Sequence, residues 1–66
     1  MPIIRVEMFK GRTAEQKKKI ARELIDGGIR GAGGGKPEAF HVVFTDVDKQ
    51  DWGVGYDMMN EKYPDK

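Results

Sequence analysis

The residue with the most unusual chemistry in this sequence is Pro2, because an initiator methionine is ordinarily removed when a residue as small as proline follows it. Pro2 would then carry a free secondary amine. Unlike an amide, that amine is a base; partial burial and nearby cations disfavour its protonated form and bring its pKa toward neutrality, where general-base catalysis is efficient. The structural alternative is that Pro2 only opens an edge strand, where its missing N–H is tolerated. Other chemistries find less support. There is no HExxH, no GxSxG, no Walker loop and no Ser/His/Asp constellation. The GAGGGK stretch follows a helical pattern instead of a strand and lacks the phosphate-loop frame, so it reads as a flexible crossover. Lys17 to Lys19 form a short basic run, which on a helix is ordinarily a solvated face and not a polyanion site.

Composition narrows the field further. A chain of 66 residues is one domain at most, 1–66, against a typical ~150. With 38% apolar residues it buries too little surface to outweigh ordering costs of roughly 1.5 kcal/mol per residue comfortably, so a staple is required. Cysteine is absent and His41 is the only histidine, which removes disulfides, a thiol nucleophile and a Cys/His metal site. Oligomerisation is the staple that remains. Twelve basic and eleven acidic residues leave a net charge of +1, too little to draw the chain to nucleic acid or an anionic membrane. Apolar runs such as Val42–Phe44 fall far short of the ~20 residues that span a bilayer, and MPIIRVEM lacks the form of a signal peptide. A cytoplasmic protein with neither nucleic-acid nor membrane partners is expected.

The elements that must position Pro2 follow from periodicity. PIIRVEMF alternates, with Ile4, Val6 and Met8 on one side and Ile3, Arg5, Glu7 and Phe9 on the other, which predicts a strand. Gly11 breaks it. Thr13 with Gln16 three places on predicts a capping box and a helix from Ala14. Ile20, Ala21, Leu24, Ile25, Gly28 and Ile29 make one apolar face, while Lys17, Lys18, Lys19, Arg22, Glu23 and Asp26 mostly face water. Glycines between Gly27 and Gly35 predict a stop after about four turns. A second strand is predicted in AFHVVFTD, with Phe40, Val42 and Phe44 on one face and His41, Val43 and Thr45 on the other. WGVGY predicts a short strand or hairpin, and Asp57 to Lys66 a brief helix or irregular arm. Strand, helix and strand make a βαβ unit with parallel strands and a right-handed crossover. Its second sheet face and both edges would be open, a further reason to expect partner subunits.

PIIRVEMFKGRTAEQK at the front and FTDVDKQDWGVG at the back resemble the 4-oxalocrotonate tautomerase family, small subunits with a catalytic amino-terminal proline. Pro2, Gly11, Arg12 and Gln16 stand in family register, and the resemblance covers nearly the whole chain. It implies a cofactor-independent tautomerase acting on a small-molecule carboxylate, and a homo-oligomer, a dimer or a hexamer built as a trimer of dimers. Carried over, Pro2 would act first as base and then as acid in enol–keto proton transfer. Arg12, from a neighbouring subunit, would hold a substrate carboxylate in its planar fork. Trp52 stands where the family commonly has phenylalanine and would wall the pocket from water. Arg12 as an exposed surface cation and Trp52 as plain packing are the structural alternatives.

One departure stands out. At His41 the family's well-studied members have a second arginine that interacts with the substrate's carbonyl and carboxylate. Histidine is shorter and largely neutral at pH 7, so it stabilises a developing enolate less well, which weighs against dicarboxylate substrates. A structural hydrogen bond is the alternative role for His41. The crossover from Arg12 to His41 is one residue longer than in those members, while Trp52 keeps the family spacing of 11 positions beyond His41. The leading expectation is thus a βαβ tautomerase for a small unsaturated 2-hydroxy or 2-oxo carboxylate, with Pro2 and Arg12 catalytic and Arg12, His41 and Trp52 binding substrate. Two alternatives stay open. One is hydration or dehalogenation of an unsaturated acid, which needs a carboxylate among Glu7, Asp51 and Asp57. The other is a noncatalytic subunit of such an assembly.

Overall fold

The computed structural model describes residues 2–64; Met1, whose removal the sequence predicts, and the last two residues of the predicted tail lie outside the described residues. Strand β1 (Ile3–Phe9) leads to helix α1 (Ala14–Ala32), and β2 (His41–Val47) returns parallel to β1. The register pairs Ile3 with His41 and Phe9 with Val47, so the two strands are aligned end to end. Ile4, Val6 and Met8 of β1 and Val42 and Phe44 of β2 are half-buried, whereas Ile3, Arg5, Glu7, His41, Val43 and Thr45 are exposed. The alternation predicted for both strands holds up to Met8 and Thr45, and the covered face is the one under α1; Phe9, on the opposite face, is half-buried because Trp52 packs on it.

The helix begins where the cap dictates. Thr13 Oγ1 accepts from the Gln16 N–H at 3.1 Å, and Gln16 Oε1 accepts from the Thr13 N–H at 2.8 Å, satisfying two donors that would otherwise be orphaned. The helix is about a turn longer than the glycine run suggests: it passes through Gly27, Gly28 and Gly31 and ends at Ala32. Gly33, at φ 82°, adopts the left-handed conformation that closes it, and the N–H groups of Gly33 and Gly34 return to the carbonyls of Arg30 and Ile29. Gly28 persists inside the helix for a packing reason. A methyl group there would stand 2.9 Å from the Phe40 ring, so only glycine lets that ring lie against the helix.

Beyond β2 the chain folds back over the far end of the sheet. Strands β3 (Gly53–Val54) and β4 (Asp57–Met58) form the predicted hairpin, and helix α2 (Met59–Lys62) is the brief helix of the tail. The Met59 N–H donates to the Trp52 carbonyl at 2.8 Å, extending the hairpin ladder, and Met59 is the only buried apolar side chain among the described residues. The chain has almost no core of its own. Its radius of gyration is 14.9 Å, where a compact chain of this length has about 11 Å. It exposes 5469 Å², against about 4,200 Å² for a compact monomer of the same mass.

Candidate active site

Strand alignment sets the geometry of the candidate residues. At the amino-terminal end of the sheet the His41 N–H donates to the Pro2 carbonyl at 2.9 Å, one step before the first strand pair. Pro2 and His41 are therefore neighbours, and both are exposed. Phe40, the residue before His41, is clamped between helix and crossover, with Gly28 on one side and Gly35 on the other. The short 3₁₀ turn Pro37–Ala39 delivers it there, its last turn closed by the Phe40 N–H on the Pro37 carbonyl at 3.1 Å.

The opposite end holds the other two residues. Seven residue steps at ~3.3 Å each separate Pro2 from Phe9, roughly 23 Å along the strand. There Phe9 packs on Trp52 with ring centroids 4.5 Å apart and planes tilted by 60°, a favoured aromatic geometry. Arg12 follows just beyond the Lys10–Gly11 turn and is exposed. Within one chain the structure thus brings Pro2 to His41, and Trp52 to the end of β1 that leads to Arg12, but does not bring the two pairs together.

Trp52 also lines a cavity of about 300 Å³ with Glu7, Val47, Asp51 and Gly53. Of the three carboxylates left unranked by the sequence, Glu7 and Asp51 face this cavity, whereas Asp57 lines a separate hollow beside α2. Neither Glu7 nor Asp51 has an ion-pair partner among the described residues. The nearby cations are engaged elsewhere: Lys10 pairs with Asp48 at 2.9 Å, and Lys49 donates to the Tyr63 carbonyl at 2.7 Å while standing 5.9 Å over the Phe9 ring. Among the described residues no cluster of His, Cys, Asp and Glu has the arrangement of a metal site, and no helix is long and apolar enough to cross a membrane.

The family model described as "Tautomerase enzyme" matches residues 2–62. The chain belongs to the tautomerase family. It is 39% identical over 56 residues to "Probable tautomerase RSp1151" of Ralstonia nicotianae, covering 83% of this chain and 85% of that one. It is also 39% identical over 62 residues to "Probable tautomerase LL0574" of Lactococcus lactis, covering 94% of this chain and all of its relative. Among solved structures, one of the 4-oxalocrotonate tautomerase isozymes from Methylibium petroleiphilum superposes with a TM-score of 0.85 at 26% identity, over 94% of this chain and 98% of that chain. A tautomerase-type isomerase function is supported, and the βαβ fold with its terminal hairpin is that of the 4-oxalocrotonate tautomerases.

Two features of this tautomerase-family chain escape its sequence. The pattern puts Lys17 among the residues that mostly face water, yet its side chain is half-buried, its ammonium pairs with Asp46 at 2.7 Å and it stands 6.0 Å over the Phe44 ring. Spacing carries the signal, since Lys17 lies three, four and seven places before Ile20, Ala21 and Leu24 and so starts the apolar stripe. The second is the pairing of Glu7 with Asp51 at the Trp52 cavity. Alternation puts Glu7 on the same face as Phe9, but only the fold-back of residues 49–53 over that face brings Asp51 to it.

Proposed function

We propose that this chain is a cofactor-independent tautomerase of a small unsaturated 2-hydroxy or 2-oxo carboxylate, with Pro2 as general base and then acid. The observation that carries the reading is the hydrogen bond from the His41 N–H to the Pro2 carbonyl, which holds Pro2 at an open sheet end beside the one histidine. With Met1 removed, the Pro2 nitrogen takes the enol proton and returns it to carbon, and no redox or hydrolytic step is needed. His41 donates or accepts a hydrogen bond at the substrate oxygen. Arg12 of another subunit holds the carboxylate, and Trp52 closes the pocket.

The roughly 23 Å between Pro2 and the far end of β1 supports a site shared between chains. The exposed surface supports the same assembly. Its excess of roughly 1,200 Å² over a compact monomer exceeds the ~800 Å² that one partner of a standard interface covers, which supports association; the dimer or hexamer is what the family resemblance implies.

Intact mass of protein from its native source, beside an ultraviolet assay of 2-hydroxymuconate and phenylenolpyruvate ketonisation, tests the reading. Loss of one methionine and turnover above buffer are expected. Pro2→Ala keeps an amine but changes its basicity and geometry, so kcat/KM falls about 100-fold or more. Unchanged turnover removes Pro2 from the mechanism, and retained Met1 turns its nitrogen into an amide and favours a noncatalytic subunit. Hydration or dehalogenation has one observation in its favour, the Glu7 and Asp51 carboxylates at the Trp52 cavity. Halide release from a 3-halogenated acrylate, with no enol turnover, would favour that reading instead.

A further inference from the structure

From the lining of the Trp52 cavity we infer that Glu7 and Asp51 make the site select monocarboxylates and reject dicarboxylates, an inference that rests on the tautomerase reading above. A substrate held by one carboxylate at Arg12 extends its other end toward the indole wall. In this chain that wall is flanked by two acidic side chains, Glu7 from β1 and Asp51 from the 3₁₀ turn before Trp52, in a cavity of about 300 Å³. Neither carboxylate has an ion-pair partner among the described residues, and no basic side chain is among those that line the cavity. A second substrate carboxylate would therefore meet like charge, since Glu7 and Asp51 are the only charged side chains among the residues that line the cavity. A neutral or aromatic far end instead gains the face of Trp52 and the side chain of Val47.

This selection is distinct from the missing second arginine at His41. It lies at the other end of the sheet, acts by repulsion and not by lost attraction, and belongs to different residues. Both carboxylates are exposed in the single chain, and a repulsion between charges that water reaches is screened by salt.

Two substrates that differ only in the far carboxylate test it: 2-hydroxymuconate and 2-hydroxypenta-2,4-dienoate. The assembled protein is expected to prefer the monoacid in kcat/KM, and Glu7→Gln with Asp51→Asn is expected to move the ratio toward the diacid about tenfold, the order of one screened charge contact. Raising ionic strength on the unmodified protein should move it the same way, a readout that needs no variant to fold. Trp52 is the sole tryptophan, so its fluorescence reports the cavity directly without turnover. Hexanoate is expected to perturb it at lower concentration than adipate. A ratio that neither the amide variants nor salt alters, with both substrates turned over, overturns the inference and leaves the tautomerase reading standing. No turnover of either substrate, with hexanoate and adipate perturbing Trp52 equally, overturns both.

Discussion

At one end of the β1–β2 pair the contact is made by backbone, the His41 N–H on the Pro2 carbonyl at 2.9 Å, with both side chains exposed. At the other it is made by rings, Phe9 on Trp52 at 4.5 Å, with the C-terminal hairpin folded over them and a cavity left between. On the proposed reading the first end supplies the base and no walls, and the second supplies walls and a carboxylate binder but no base. Each end lacks what the other has. A parallel pair in strict register cannot bend back on itself, so within one chain the two halves stay a strand length apart. Under the proposed function the two halves form one site where the amino-terminal end of one chain meets the far end of another, so that reading ties catalysis to assembly.

The sharpest break of this comparison is a mixing experiment. Pro2→Ala and Arg12→Ala are each expected to be severely impaired alone. When the two variants are co-expressed or unfolded and refolded together, some sites combine an intact Pro2 from one chain with an intact Arg12 from another. Turnover well above that of either variant should return. No recovery in mixed assemblies of normal mass would mean that the two residues do not serve one site.

The framework was largely legible in the sequence because it depends on local rules: alternation for the strands, Thr13 and Gln16 for the helix start, glycine for its end. Helix length was less so, because glycine propensity argues for an early stop while the Phe40 ring favours glycine at position 28 for contact, and contact prevails. Pro2 was legible as a chemical oddity, while roles for Arg12, His41 and Trp52 came from family resemblance. The split of those four residues between two ends follows from register and was not drawn from the pattern alone. Glu7 and Asp51 meet only because the hairpin folds over one face, a nonlocal event that no periodicity encodes.

A smaller effect separates the ends. Gly28→Val places a branched side chain where even a single carbon stands 2.9 Å from the Phe40 ring, so Phe40 and the start of β2 must shift. Overpacking of this kind costs about 1–3 kcal/mol. The consequence should be confined to the Pro2–His41 end: kcat falls while Trp52 emission, which senses the far end, keeps its wavelength. A shift in Trp52 emission equal to that seen on unfolding would mean that the two ends are not separable.

The smallest expected effect is at the cap. Thr13→Ala removes the hydroxyl that accepts from Gln16 and breaks the reciprocal pair, a loss of about 1 kcal/mol. In a chain of this size that lowers Tm by roughly 4–8 °C, measured at one protein concentration because assembly makes Tm depend on it. The cap adjoins Arg12, so the turn that aims the guanidinium loosens with it. KM is expected to rise several-fold with kcat nearly constant, and Thr13→Ser, which keeps the hydroxyl, should restore both. A lowered Tm with unchanged KM would show that Arg12 is aimed by its contacts in the assembly and not by the helix start, leaving the cap a contributor to stability alone.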